Sequence, residues 1–351
     1  MGIFIALLVF SFLIFFHELG HFLAARYFGV HVEVFSIGFG KRVLTKKFGA
    51  TQWSLSLIPL GGYVRMKGQD DANPELKSYD SDSYNSKTPF ERIVISFAGP
   101  FANFLLAFIL YLMVSIIGVP TPLANVGKLM DKSPALDAGI QLEDSITNID
   151  GRPIKYWNEI GESLGQNDQE HQITILRDKQ YIDLSITPKL LETHNVFGED
   201  DKRYLLGISP NPNKIEHIPY NLEDGLRFAY EQTQYASLYI VKSLQKLLSG
   251  LIPLENLGGA VGIVNTTSKV SQMGWIALLM FTALISVNLG VINLLPIPAL
   301  DGGHILFHLY ELLTKKPANE EIMLKLTLLG WGILLSLMLL GLYNDINRLL
   351  G

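Results

Sequence analysis

Few residues in this 351-residue chain could carry chemistry, and they are histidines and carboxylates. There is no cysteine, so a metal must be held by His, Asp or Glu, and a disulfide framework is excluded. The sharpest pattern is His17-Glu18-Leu19-Gly20-His21. On a helix, positions four apart share one face with Cβ atoms about 6 Å apart. Two imidazoles so placed can bind one zinc ion, with the intervening Glu beside it as a general base. With eight His in the chain and Glu at roughly 6% of residues, the pattern arises by chance in roughly one chain in a hundred. Here it lies inside an apolar run, where ionisable residues are costly and usually functional.

Zinc in a working site takes a third protein ligand and leaves one position for water. Asp301 is the strongest candidate, in Asn293-Leu-Leu-Pro-Ile-Pro-Ala-Leu-Asp301-Gly-Gly-His304. Pro296 and Pro298 must break a helix there, and broken backbone at membrane depth is tolerated only where protein or a cavity satisfies it. His304 could ligate instead, although a hydrogen bond behind the ligands is the better expectation for it. His31, His171, His194, His217 and His308 lack ligand-like spacing and read as surface or core.

These residues need elements to hold them. Apolar residues make up 48% of the chain and charged residues 17%, against about 25% charged in soluble proteins. Four stretches are long and apolar enough to cross a bilayer: Ile3–Tyr27, Ile93–Val119, Gly274–Leu295 and Leu324–Leu342. The first lacks a basic flank and outruns a signal-peptide core, so it is expected to be retained as a span. Gly29–Arg92 holds nine Lys or Arg and reads as cytoplasmic, as does the Lys315/Lys316 turn. Both termini and the 154 residues from Pro120 to Met273 are then expected on the outer face. His17 would lie about 22 Å into the bilayer, in its cytoplasmic third, and Asp301 follows the broken cytoplasmic end of the third span. The two motifs are thus expected at one depth. A net charge of −5 argues against a dedicated nucleic-acid binder.

Outside the spans, Gly29–Lys67 alternates apolar and polar residues and reads as short strands, with Gly38, Gly40, Gly61 and Gly62 at tight turns or close backbone approaches. Gly68–Thr88 is polar and reads as a mobile loop. Thr121–Pro210 reads as a compact αβ module. Within it, SPALDAGIQLEDSITNIDGRPI resembles the PDZ signature through Ser133, Pro134, Ala138, Gly139, Asp144, Ile146, Asp150 and Gly151. A PDZ domain adds a peptide strand to a sheet edge; the alternative is a spacer that binds nothing. Asn221–Ser249 reads as an amphipathic helix that rests on the membrane or packs on the module, and Leu257–Thr267 as a Gly-rich segment re-entering the interface.

With HELGH in the first span and NLLPIPALDGG in the third, the chain resembles the site-2 protease family of intramembrane zinc metalloproteases, over nearly its whole length. Phe97–Phe104 (FAGPFANF) and Phe35–Gly40 (FSIGFG) resemble further family segments. A single PDZ insertion makes it similar to the bacterial RseP-type regulators of envelope stress, although the best-studied of these carry two tandem modules. The resemblance implies that His17, His21 and Asp301 bind Zn2+ and that Glu18 is the catalytic acid/base. It implies that Asn293 contacts substrate near the scissile bond and that the Gly29–Lys67 strands, with Gly38, Gly40, Gly61 and Gly62, form a membrane-associated β-region that pairs with substrate.

The expected architecture is a polytopic α-helical membrane protein with four transmembrane helices, a membrane-associated β-region and an inserted α+β PDZ domain. Its parts are a first span with HExxH (1–28), a cytoplasmic-side β-region and loop (29–92), a second span (93–119), the PDZ domain (120–213), amphipathic helices (214–273), a third span with the NxxPxPxLDG motif (274–301), and a cytoplasmic turn with the fourth span (302–351). The expected activity is hydrolysis of a peptide bond in an unwound transmembrane segment of a single-span protein already trimmed by a first cut. The expected setting is the bacterial inner membrane, with the PDZ domain on the periplasmic side and the site near the cytoplasmic third of the bilayer. Two other classes compete. One is a non-catalytic zinc-containing adaptor that presents its PDZ module, disfavoured because no fourth protein ligand is evident. The other is a transporter, disfavoured by only four spans and no inverted repeat.

Overall fold

The computed structural model describes residues 2–69, 78–194 and 200–350. Two compact units emerge, one formed by Met1–Val114 with Leu226–Gly351, the other by Ser115–Gly225. The first unit opens with helix α1 (Gly2–Tyr27), strands β1 (Val32–Phe48) and β2 (Thr51–Met66), and helix α2 (Pro89–Ile117). β1 and β2 are long enough to fold back on themselves. Residues 42–48 pair with 51–56 as a hairpin, while residues 34–37 are flanked by 52–55 on one side and by 62–65 on the other. Register shifts run from Val32 to Leu44, over the stretch where the strand passes from one ladder to the next. Among the described residues, the 62–66 segment is therefore an edge of this small sheet.

The expectation of a loose polar loop after Lys67 holds poorly for the residues described. Residues 70–77 lie outside them. Beyond, Lys67 Nζ bridges Asp82 (2.6 Å) and Asp80 (2.9 Å), and Asn85 Nδ2 donates to the Gly68 carbonyl (2.8 Å). Tyr84, in a 3-10 turn at Tyr84–Ser86, is buried and shares a 2.9 Å hydrogen bond with His308 Nε2. The polar side chains of this segment satisfy one another and the backbone. The Asp82 hydrogen bond, then that of Asp80, raises the Lys67 pKa, and Lys67 in turn lowers both carboxyls.

The second unit contains β3 (Val119–Pro122), β4 (Val126–Leu129), α3 (Pro134–Asp137), β5 (Ser145–Ile149), β6 (Arg152–Pro153), α4 (Trp157–Leu164), β7 (His171–Arg177), β8 (Gln180–Ile186), β9 (Lys189–His194), β10 (Asp200–Leu205), β11 (Ile208–Pro210) and β12 (Ile215–Ile218). Its four-stranded antiparallel sheet has the order β6-β5-β7-β8. The core is aliphatic, with Val126, Ile146, Ile149, Ile160, Ile173 and Ile175 buried. The residues of the 133–151 signature act locally. Ser133 Oγ accepts from the Leu136 N–H and caps α3, and buried Asp144 pairs with Arg177 at 2.6 Å. Asp150 takes a positive φ ahead of Gly151, and its carboxyl is held low by a hydrogen bond from His171. The compact unit runs beyond residue 213, because β12 pairs with β3 through Ile215↔Pro122 to Ile218↔Val119.

The chain then returns to the first unit with α5 (Leu222–Leu248), α6 (Ala260–Gln272), α7 (Trp275–Asn293), α8 (Asp301–Thr314) and α9 (Glu320–Leu350). By length and apolarity α1, α2, α7 and α9 can each cross a membrane, which makes this a multi-pass membrane protein. Leu13, Leu106, Leu110, Ala236, Ala283 and Val287 form a shared core of α1, α2, α5 and α7. The residues after Asp301, expected as a turn, form a further helix, α8. The Gly-rich segment expected to re-enter the interface is helical from Ala260, and the Asp345 carboxylate accepts the N–H groups of Gly259 and Gly262 at its start.

Candidate metal centre

His17 and His21 lie on the inner face of α1, an unbroken helix through both positions. The third carboxylate arrives differently. α7 ends at Asn293, the chain turns twice through a segment containing Pro296 and Pro298, and α8 begins at Asp301. The first-turn position suits a carboxylate, because free N–H groups there favour negative charge. Asp301 Oδ2 stands 3.2 Å from His17 Nε2, and Oδ1 stands 3.4 Å from His21 Nε2. The two Nε2 atoms are 3.3 Å apart. Donors at about 2.0–2.2 Å from a tetrahedral ion are spaced by about 3.3–3.6 Å. The Asp301 carboxylate thus turns one oxygen toward each ring, and one donor atom from each of the three residues makes a triangle whose corners all lie within 4.8 Å of one another, compact enough to close on one ion. Asp301 Oδ2 is also buried with no hydrogen-bond partner among the described residues, an acceptor that a cation would satisfy.

The rings are held from behind by α2. His21 Nδ1 donates to the Ile95 carbonyl at 2.8 Å, which leaves the Nε2 lone pair facing the triangle. The Asn103 amide lies 3.1 Å from His17 Nδ1. Between them, Gly99 lets the helices approach: a Cβ there would stand 2.2 Å from His21 Nε2. Gly99 and Asn103 fall in the family-like Phe97–Phe104 segment, but neither they nor Ile95 could be given a role from the sequence, because each acts through contact between separate helices. A buried amide and a glycine in an apolar span were the available signals.

Around the triangle lies a cavity lined by Glu18, Tyr63, Val64, Asn293 and His304, among others. Glu18 is buried. Of the four glycines expected at the site, Gly62 lines the cavity among the described residues. A Cβ at Gly62 would sit 2.8 Å from Ile14 Cγ2 and 3.0 Å from Glu18 Cγ, so glycine lets the 62–66 edge lie against α1. Gly61 packs on the Phe39 ring, and Gly38 and Gly40 lie where β1 bends, away from the residues that line the cavity. His304 lines the cavity but stands outside the cluster His17, His21 and Asp301, whose donor atoms all lie within 4.8 Å of one another. His308 is buried against Tyr84 and His171 is buried beside Asp150. The His194 side chain lies outside the described residues.

The model of peptidase family M50 matches residues 5–337. A Campylobacter jejuni protein named as a candidate zinc metalloprotease is 44% identical over 344 residues, covering 98% of this chain and 93% of its own. The zinc metalloprotease RasP of Bacillus licheniformis is 30% identical over 425 aligned residues, covering 98% of each chain. The regulator of sigma-W protease RasP of Bacillus subtilis is 28% identical over 421, covering 98% of this chain and 97% of its own.

Proposed function

This chain belongs to peptidase family M50, the site-2 proteases, and is a zinc metalloprotease; from that premise we propose that it cuts single-span membrane proteins within an unwound transmembrane segment, after a first cleavage has trimmed them. His17, His21 and Asp301 hold the Zn2+, and Glu18 is the acid/base. The observation that carries this is the convergence of the three donors beside apolar helices of membrane length: the two Nε2 atoms stand 3.3 Å apart, and one Asp301 oxygen lies 3.2 Å from the first and the other 3.4 Å from the second. Three protein ligands leave a fourth position open, as catalytic rather than structural zinc sites do.

When bound, zinc supplies Lewis acidity toward a scissile carbonyl and lowers the pKa of a water to about 7. Glu18, in the cavity wall, takes the proton of the attacking water and delivers it to the leaving amine. A helical substrate hides its carbonyls in its own hydrogen bonds, so it must be pulled straight. The outer side of residues 62–65, next to Glu18, has no strand partner among the described residues and would offer backbone groups to replace those bonds. Asn293, in the same cavity, contacts the extended segment.

The Ser115–Gly225 unit serves as the PDZ module. Trp157, Ile160 and Leu164 of α4 line a groove with Tyr204, Gly207 and Ile208, which suits an extended peptide or simply excludes bulky outer domains. The basic residues of 29–92 support a reading in which the β-region lies in the cytoplasm and this module in the periplasm of a bacterial inner membrane. Anti-sigma factors and signal-peptide remnants are the substrate classes that fit, the former by likeness to a relative named as a regulator of sigma-W.

The test is cleavage of a trimmed single-span substrate by the purified chain in detergent. Glu18→Gln should keep its zinc and lose about 10²–10⁴-fold in rate. Equal rates from both would refute the role of Glu18; zinc held with no cleavage by either would favour an adaptor.

A further inference from the structure

Helix α2 presents Ile95, Gly99 and Asn103, spaced four apart, toward the metal face of α1. The first orients His21 through its carbonyl, and the second makes room for the ring. We infer that Asn103 is a positioning residue of the metal centre, whose side-chain oxygen holds His17 in the tautomer and ring orientation that a zinc ligand needs. This rests on the reading of His17 as a ligand.

Asn103 is fully buried, about four turns into an apolar helix, next to the core residues Leu106 and Ala107. An amide in such a place is costly unless it is hydrogen-bonded. Its backbone carbonyl accepts from Ser286 Oγ of α7 at 2.8 Å, so α7 holds this turn of α2. Its amide nitrogen Nδ2 lies 3.1 Å from His17 Nδ1, while its Oδ1 is buried with no partner among the described residues. The chemistry of the ring decides which end of the amide is needed. A histidine that offers the Nε2 lone pair to a cation carries its proton on Nδ1, and that N–H donates. The amide must then present Oδ1, the atom otherwise left unsatisfied, and which end of a buried amide faces a ring is settled by the hydrogen bonds it can complete. Asn103 thereby does for His17 what the Ile95 carbonyl does for His21, and one face of α2 orients both imidazoles.

The experiment measures zinc affinity of the full chain in detergent by competition with a chromogenic chelator. Visible spectra of the cobalt form and steady-state cleavage accompany it. Asn103→Leu removes the acceptor at similar volume; Asn103→Ala, which only deletes atoms, is its companion should leucine disturb folding. Both should weaken zinc binding about 10–100-fold. They should also alter the cobalt spectrum and lower kcat with little change in KM. Asn103→Asp keeps an acceptor oxygen and should bind zinc within a few-fold of wild type. His17→Ala, measured alongside, should lose tight binding. Wild-type affinity and spectrum in the leucine and alanine variants would overturn the inference while leaving His17 a ligand. An aspartate variant as weak as alanine would also overturn it, because packing and not the acceptor would then matter. Tight binding by His17→Ala would instead overturn the ligand reading beneath it.

Discussion

Two stretches of chain deliver the donors of one site, and they do so in opposite ways. α1 is a regular helix that offers His17 and His21 by its own pitch. The 293–301 segment offers Asp301 by ceasing to be a helix: α7 ends, two prolines pass, and α8 starts at the carboxylate. The first device needs no partner to set its spacing. The second is a tertiary construction, held by contacts such as Thr327 Oγ1 of α9 donating to the Pro298 carbonyl at 3.3 Å. The pair is thus preset in spacing, whereas the third donor arrives only when the helices pack.

The largest effect expected from this difference is loss of the third donor. Asp301→Ala should abolish cleavage but leave weak, two-histidine zinc binding, whereas His17→Ala and His21→Ala should each lose cleavage together with nearly all binding; metal titration of the three variants checks it. Next comes the backing of α1. Gly99→Ala places a Cβ 2.2 Å from His21 Nε2, and a displacement of about 1 Å in such a site costs about 10²-fold, read as a fall in kcat with the chain still folded. Gly62→Ala probes the strand edge beside Glu18. Its Cβ would meet Ile14, Ser36 and Glu18 at 2.8–3.0 Å, so overpacking should cost about 1–3 kcal/mol, read as a lower Tm and a higher KM.

How much of this was legible in the sequence follows the same divide. The His17/His21 pair could be read because four residues on a helix is a local distance. Asp301 could be reached only by combining a proline-broken span with an argument about depth. Gly99 and Asn103 lay in a segment noted for its family likeness, yet their roles and that of Ile95 went unread because neighbouring helices, not neighbouring residues, give them their work. The 78–88 segment looked free for the same reason: the partner of Tyr84 is His308, 224 residues away. β12 was missed because four residues, Ile215–Ile218, are too few to show a strand period before a helix begins.

The smallest expected effect is on that anchored segment. Lys67 lowers the carboxyls of Asp80 and Asp82, so their contribution is present above the ordinary value of 3.8 and fades as pH falls through their lower folded values. The raised Lys67 pKa keeps its share in place up to at least 10.5. Amide exchange across residues 78–86, corrected for intrinsic pH effects, should be flat between those limits and quicken below the lower one.

The central claim is that two α1 imidazoles and the Asp301 carboxylate hold one zinc and leave a position open. X-ray absorption at the zinc edge, on the metal-loaded full chain, tests it most directly. The expected result is one zinc per chain with two histidine rings, one carboxylate oxygen at about 2.0–2.2 Å and one exchangeable solvent oxygen, the carboxylate vanishing in Asp301→Ala. Three histidine rings, or four protein ligands with nothing exchangeable, would contradict it.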